Sequence, residues 1–536
     1  MQRVKMRARN LRFADPFILL LGAVRMKLSV RTNLKRIFIL SGFTLILSGC
    51  VAVAQAAAYG VSDASKRDLD ATGFSIQPAP SDPAIDAVLS QISPRQIRHT
   101  IEALAGFKNR NTLSSMDKDL PSGQGVLPAA DWITVTLQSY SGDCGGCLDV
   151  RRDTFTEPRQ TGPAPRITQP TTITNVYAVL RGADPAQAKR VILVTGHYDS
   201  RNSDTMNTRD PAPGANDDAS GVAVSLECAR VLSRLKLPAT LVFAAVAGEE
   251  QGLNGSAHLA RLAKSEGWQI EAVLNNDIVG GNTTPGDTLQ DKSAVRVFSE
   301  SLPANATPDE LRRLIALGYE SDSPSRELAR AVADIAETYD SAAKTTTVGP
   351  SAQIFEMFHP VLEFRRDRFL RGGDHSSFNQ EGFPAVRFTE WREDFNHQHQ
   401  NVRTGNGIEY GDLLKFVDFD YVARVARLNA ATMAVLASAP PPPDKAAILT
   451  RELDNNTTVH WIDGPGVPSS TTYEIVWRET TAPLWQRFVP AGRDRRQSDG
   501  EYEITLPVSK DNVVFGVRAL DPAGHRSLAV VAMPER

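Results

Sequence analysis

Cysteine is scarce in this chain, four among 536 residues. The only close pair is Cys144-Gly145-Gly146-Cys147. A zinc knuckle needs a second such pair, so that class is excluded. A thioredoxin-like redox role fails as well, because the motif does not open a helix after a strand. Cys228 falls in a helical pattern and reads as a small buried apolar residue. Long apolar runs are lacking too: Ile37 to Leu47 is too short to cross a bilayer. A basic surplus is also missing. Residues 1–49 hold ten Lys/Arg and one Asp, which leaves 49 basic against 61 acidic residues, about -12, in the remainder. That balance argues against a nucleic-acid partner.

The leader is what carries positive charge. Met26-Lys27, Arg31, Lys35 and Arg36 form a basic n-region ahead of the apolar Ile37–Leu47 segment, with Met26 the expected start. Leu47-Ser48-Gly49-Cys50 resembles a bacterial lipoprotein signal, with Cys50 lipidated; Ala54-Gln55-Ala56 offers ordinary cleavage instead. Either way the expected location is outside the cytoplasm: periplasmic, lipid-anchored at the outer membrane, or secreted. In such a compartment Cys144 and Cys147 are expected to form a local disulfide.

The length calls for more than one core. Residues 1–58 read as leader and start of a tether, 59–438 as the main domain, 439–444 as a polyproline linker, and 445–536 as a small β-sandwich. Residues 59–81 are small and polar, the composition of a tether. Apolar spacing predicts helices over 85–105, split at Ser93-Pro94, and over 129–140, 219–235, 256–266, 325–339 and 410–436. Continuous apolar runs predict buried strands at 175–180, 190–195, 240–247, 270–274 and 384–388. Residues 141–171 read as loop or irregular edge strand, and 281–350 as a Gly/Thr-rich insertion ending in a helix. The expected fold is α/β, a mostly parallel mixed sheet with helices on both faces, plus the small C-terminal all-β sandwich.

Chemistry-bearing residues recur where these strands end. His197 follows the strand 190–195, and Asp217 and Asp218 precede a helix. Glu249 and Glu250 follow the next strand, Asp277 the one after, and Phe395-Asn396-His397-Gln398-His399 supplies later imidazoles. Imidazole and carboxylate donors without thiolate suit zinc, with manganese or cobalt as alternatives. An aspartate can bridge two such ions, which clamp a water and polarise a carbonyl or phosphoryl group. Adjacent glutamates cannot both face one ion, so one is expected as ligand and the other as general base.

Gly196-His197-Tyr198-Asp199-Ser200, Gly214-Ala215-Asn216-Asp217-Asp218-Ala219-Ser220-Gly221, Ala247-Gly248-Glu249-Glu250-Gln251-Gly252-Leu253 and Asn275-Asn276-Asp277 together resemble the two-zinc aminopeptidase family. That family includes secreted bacterial leucyl aminopeptidases and glutamate carboxypeptidase, and the resemblance spans roughly residues 85–436. It implies two zinc ions per chain held by His197, Asp217, Glu250, Asp277 and His399, with Asp217 bridging. His397 is the alternative last ligand. It implies Asp199 orienting His197, Glu249 as general base, and a cis peptide at Asp217-Asp218. Asp374-His375-Ser376-Ser377-Phe378 matches a family motif that supports the pocket without binding metal. The implied activity is removal of N-terminal residues from peptides or proteins. Residues 445–536 resemble a fibronectin type III module through Trp461 and the Val513–Ala519 run, a module that binds a surface or polymer or acts as a spacer.

Three other readings stay open: a single-zinc glutaminyl cyclase, a carboxypeptidase, and a non-catalytic receptor-like ectodomain. Arg365-Arg366-Asp367-Arg368 and Arg371 either touch a substrate carboxylate or form a solvated loop. His258 is expected to pack or face solvent, and His99, His359, His460 and His525 to be structural or surface residues.

Overall fold

The computed structural model describes residue 69 and residues 72–345, 358–498 and 500–535. The expectations for Met26, Cys50 and Ala54-Gln55-Ala56 concern residues outside that range.

In chain order, β1 (Phe74–Ser75) precedes α1 (Pro83–Leu89), α2 (Pro94–Gly106) and α3 (Val126–Asp143). Then come β2 (Leu148–Glu157), β3 (Thr171–Leu180), β4 (Arg190–His197), α4 (Ala219–Leu232), β5 (Thr240–Val246), α5 (Asn254–Ser265) and β6 (Gln269–Asn276). They are followed by β7 (Ala294–Ser299), α6 (Pro308–Leu317), α7 (Pro324–Thr345), β8 (His359–Glu363), α8 (His375–Gln380) and β9 (Ala385–Glu390). A hairpin, β10 (Arg403–Gly405) with β11 (Ile408–Tyr410), leads to α9 (Phe419–Ser438). The C-terminal strands are β12 (Lys445–Leu449), β13 (Thr457–Ile462), β14 (Thr472–Glu479), β15 (Arg487–Ala491), β16 (Tyr502–Leu506), β17 (Val513–Leu520), β18 (Val530–Val531) and β19 (Met533–Glu535).

The main sheet has eight strands in the order β2-β3-β5-β4-β6-β9-β7-β8. Its centre, β5-β4-β6-β9, is parallel. β2, β3 and β7 pair antiparallel with their inner neighbours. Alternation along the central strands divides the core in two. Ile192, Val194, Leu241, Phe243, Ala272 and Leu274 face the layer of α2, α4 and α9. Val191, Leu193, Val242, Ala244 and Val273 face α5 and α8. Because both faces are covered, these strands are apolar at nearly every position rather than at every second one. Each fully buried Val, Leu or Ile contributes roughly 1.5–3 kcal/mol of transfer free energy.

The Ser93-Pro94 break is present: Ser93 Oγ accepts from Gln96 N at 3.4 Å, and Pro94 opens α2. Residues 148–157, expected as loop or irregular edge, form the regular edge strand β2, ten residues in register with β3. Charged residues along it, Arg151, Arg152 and Asp153, mark an edge exposed to water. The 281–350 insertion contributes β7 and α6 besides the expected helix.

The C-terminal sandwich faces a sheet β1-β15-β14-β17-β18 against a sheet β16-β13-β12-β19. Trp461, Trp477, Tyr473, Tyr502 and Phe515 fill the space between them. Part of the expected 59–81 tether belongs to this sandwich, since Phe74 and Ser75 pair with Phe488 and Arg487. The proline run does not stand free either. Ala439, Pro440, Pro441 and Pro443 are buried, and Arg190 Nη1 donates to Ala439 O at 2.8 Å. Charged groups fasten the sandwich to α7 and the turn before it. Trp485 Nε1 donates to Glu327 Oε2 at 3.1 Å, Arg330 Nε donates to Pro483 O at 2.8 Å, and Arg478 pairs with Asp322.

Candidate metal centre

The carboxyl ends of β4, β5 and β6 lie side by side, the place where open α/β sheets present their ligand-binding residues. β4 ends on His197, Glu249 and Glu250 follow β5, and Asp277 follows β6. Close backbone approach makes this possible. A Cβ on Gly196 would sit 2.4 Å from Gly221 C, and one on Gly221 would sit 2.1 Å from Asn276 O. Only glycine lets the first turn of α4 come this near to β4 and β6. Asp218 caps that helix, accepting from Gly221 N at 2.9 Å, and its other oxygen accepts from His197 N at 3.0 Å. The Asp217-Asp218 peptide is cis.

Two groups of donor atoms converge and share Asp217. His197, Asp217 and Asp277 form one triad, Asp217, Glu250 and His399 the other, with donors in each within 4.8 Å of one another. His197 Nε2 lies 3.1 Å from Asp217 Oδ1, and His399 Nε2 lies 2.8 Å from Oδ2. His399 Nε2 is also 3.2 Å from Glu250 Oε1, a buried oxygen with no hydrogen-bond partner. His397 takes no part. It stacks on Phe416 at 3.6 Å between centroids, with Nδ1 3.6 Å from Asp394.

The surrounding residues hold these donors in place. Asp199 Oδ1 lies 3.4 Å from His197 Nδ1; Oδ2 accepts from Thr112 Oγ1 at 2.9 Å and from Glu250 N at 3.2 Å. Arg201 Nε donates to Glu250 Oε2 at 2.7 Å, and its Nη2 lies 2.6 Å from His399 Nδ1. Arg387 pairs with Asp277 at 2.8 Å and with Asp367 at 3.0 Å. Asp412 accepts from Asn216 N and Asp217 N at 2.8 and 2.7 Å. Arg110 donates to Tyr198 O at 2.5 Å and to Gly214 O at 2.9 Å, spanning the loop between β4 and α4. Thr112, Arg110, Arg201, Arg387 and Asp412 lie outside the motifs read from sequence, and no spacing rule points to them. Their signal is solely three-dimensional. Two residues of the site have left-handed backbone, Ile278 at φ 62° and His399 at φ 54°. A β-branched residue there is strained, and Ile278 is held by Glu390 N donating to its carbonyl at 2.8 Å.

The electrostatics are those of buried carboxylates short of cations. Burial raises the Glu249 carboxyl well above its ordinary value; Glu250 and Asp277 push the same way, while His197 opposes. Burial also drives Asp218 well up and Asp374 to about 7. Burial opposes charge on His399, yet Glu250 and Asp217 lift it to about 10. Such a set of nitrogen and oxygen donors, with an orphaned carboxylate oxygen at its centre, fits divalent zinc.

The remaining histidines have structural partners. His258 stacks on Phe155 at 3.9 Å, His99 meets Trp132 edge-on, and His460 and His525 pair with Glu535 and Asp521. Cys144 and Cys147 are disulfide-bonded, and Cys228 is a buried free thiol. In the Asp374–Phe378 motif, His375 Nε2 lies 2.8 Å from Arg366 O and no metal donor group includes it.

The profile of peptidase family M28 matches residues 175–406. A probable zinc metalloprotease of Leptosphaeria maculans is 42% identical over 463 residues, covering 86% of this chain and 99% of the relative. Another, from Pyricularia oryzae, is 42% identical over 460 residues, covering 84% and 85%. Among solved structures, the LapA aminopeptidase of Legionella pneumophila aligns with TM-score 0.44 and 20% identity over 68% of this chain and 78% of that one. A Porphyromonas gingivalis glutaminyl cyclase aligns with TM-score 0.40 and 18% identity over 64% and 97%. By its identity to relatives matched over nearly their whole length, the chain belongs to peptidase family M28.

Proposed function

We propose that this chain is an exported zinc-dependent exopeptidase, an aminopeptidase that removes N-terminal residues. The observation that carries the reading is the sharing of Asp217 by two donor triads. In it, His197, Asp217 and Asp277 would hold one zinc, and Asp217, Glu250 and His399 would hold a second. A bound zinc pair supplies Lewis acidity and makes water nucleophilic near neutral pH. The chain's own part falls to Glu249, whose backbone N donates to Asp199 Oδ1 at 3.4 Å beside the donor cluster. Its carboxylate takes the proton of the attacking water and returns it to the leaving amine. Asp199 keeps His197 in the orientation that presents Nε2 to the metal.

The leader and the bonded Cys144–Cys147 pair support export, with a lipid on Cys50 as the proposed attachment. The two facing sheets, antiparallel except where β12 pairs with β19, support the fibronectin type III-like reading of residues 445–536. A single-zinc cyclase would not need the first-zinc histidine, and His197 is present with Asp217 and Asp277, which favours the peptidase.

The test is a panel of aminoacyl-anilides assayed with and without chelator, beside zinc content and Glu249→Gln. Expected are two zinc per chain, chelator-sensitive release of the anilide, and a mutant that keeps both ions and loses at least ~100-fold in turnover. One zinc per chain with glutaminyl cyclisation, or comparable turnover in mutant and parent, overturns the reading.

A further inference from the structure

A group of arginines lies beside the donor cluster, and of these only Arg387 pairs with a donor, Asp277. Glu393, buried after β9, accepts from three guanidinium groups: Arg296 Nη2 at 2.9 Å, Arg368 Nη1 at 2.6 Å and Arg371 Nη1 at 3.1 Å. Asp367 pairs with Arg368 and Arg387, both at 3.0 Å, and Arg387 pairs with Asp277. Four arginines therefore meet three carboxylates, Glu393, Asp367 and Asp277, and one positive charge is left over. The surplus is most accessible at Arg371, whose side chain is 29% exposed against 11% for Arg368, 17% for Arg296 and none for Arg387.

The position of Arg371 is set by Gln398. Arg371 Nη1 donates to Gln398 Oε1 at 3.2 Å, and Gln398 Nε2 donates to Asp217 Oδ2 at 3.3 Å. One amide group thus separates the guanidinium from the shared carboxylate, a reach of at most ~9 Å, between the lengths of two and three extended residues. Those bonds engage only Nη1, leaving the outer edge of the guanidinium for a further acceptor. The exposed Phe369 and Leu370 precede it on the same loop. A partly exposed cation in surplus over its ion pairs, held at fixed distance from a reaction centre, is the chemistry that recognises a carboxylate.

We infer that Arg371 is a specificity-determining residue that binds a carboxylate of the substrate. The inference rests on the exopeptidase reading above and narrows its substrate class. Two sources offer that chemistry: the free C-terminus of a short peptide, and an acidic side chain near the scissile bond.

The experiment uses the full zinc-loaded chain. Leu-Gly is compared with Leu-Gly amide, and Glu-anilide with Leu-anilide, in parent, Arg371→Gln and Arg371→Lys, with thermal melting of each variant. Expected is a kcat/KM ratio favouring the carboxylate in at least one pair. That ratio falls about tenfold or more in Arg371→Gln, chiefly through KM, and is partly kept in Arg371→Lys. The pair that responds identifies the source. A parent without preference in either pair, or a ratio unchanged in Arg371→Gln, overturns the inference while leaving the exopeptidase reading intact. Absence of hydrolysis of all four compounds overturns that reading, and this inference with it.

Discussion

Asp199 stands behind His197: its Oδ1 is 3.4 Å and its carbonyl oxygen 3.1 Å from the same Nδ1, and Asp199 also accepts from Glu250 N. One side chain therefore fixes a donor in one triad and the backbone of a donor in the other.

Asp199→Ala is accordingly expected to weaken zinc binding by roughly 10- to 100-fold, with a matching loss of activity at limiting metal. Competition with a chromophoric chelator measures it, and unchanged affinity would show that the packing alone fixes both donors.

The close approach of β4 to α4 predicts a sharp effect from a single methyl group. Gly221→Ala places a Cβ against Asn276 O and the Asp218 carboxylate, 2.1 and 2.5 Å away, neither of which can yield without moving the site. The expected result is a loss of ~2 kcal/mol or more in chemical denaturation together with reduced zinc content. A variant as stable as the parent would mean that the helix shifts freely.

Asp322, in the turn before α7, is paired with Arg330 at 3.4 Å and with Arg478 of β14 while all three are buried. Asp322→Ala leaves two guanidinium groups with too little compensation and should cost about 3–5 kcal/mol. Differential scanning calorimetry should show one lowered transition for the whole chain. A drop confined to a separate, small transition would show that the sandwich melts independently.

Glu390 gives a pH signature. Burial, helped by Glu393, raises its carboxyl to about 8, while Asn282 N and Asn216 Nδ2 donate to it and oppose the shift. The folded state then holds a proton that the unfolded chain releases near its ordinary value of 4.5. The stability drawn from this group is full below pH ~4.5 and falls by about 1.4 kcal/mol per unit until pH ~8. Glu390→Gln should flatten that part of the curve, seen as the difference between urea-denaturation free energies of parent and mutant at pH 5, 6.5 and 8. Parallel curves would place the Glu390 pKa near its ordinary value.

Much of the site could be read from the sequence because its donors follow buried strands. Val191–Thr195, Leu241–Val246 and Ala272–Asn275 are covered on both faces, so their apolar runs are unbroken and their ends are marked by polar residues. β2 escaped because an edge strand with Arg151, Arg152 and Asp153 carries no such run. Of the two later imidazoles, the structure puts His399 in a donor group and stacks His397 on Phe416. Asp412 was beyond reach of any pattern: it accepts from the backbone of a residue 195 positions earlier, and nothing local marks it. Nothing local marks Arg201 or Arg387, and the sequence leaves Arg371 open between a substrate carboxylate and a solvated loop; their partners appear only in three dimensions.

The pairing of Phe74 and Ser75 with Phe488 and Arg487 covers the edge of a sheet. β15 would otherwise end its sheet with a row of unsatisfied amides and carbonyls, open to any passing strand. Phe74 and Ser75 act as a built-in guard, further fixed by Arg487 Nη2 donating to Gly73 O at 2.8 Å. A version trimmed to begin at Asp82 would lose nothing from the zinc donors, yet it would bare a sticky border and invite self-association.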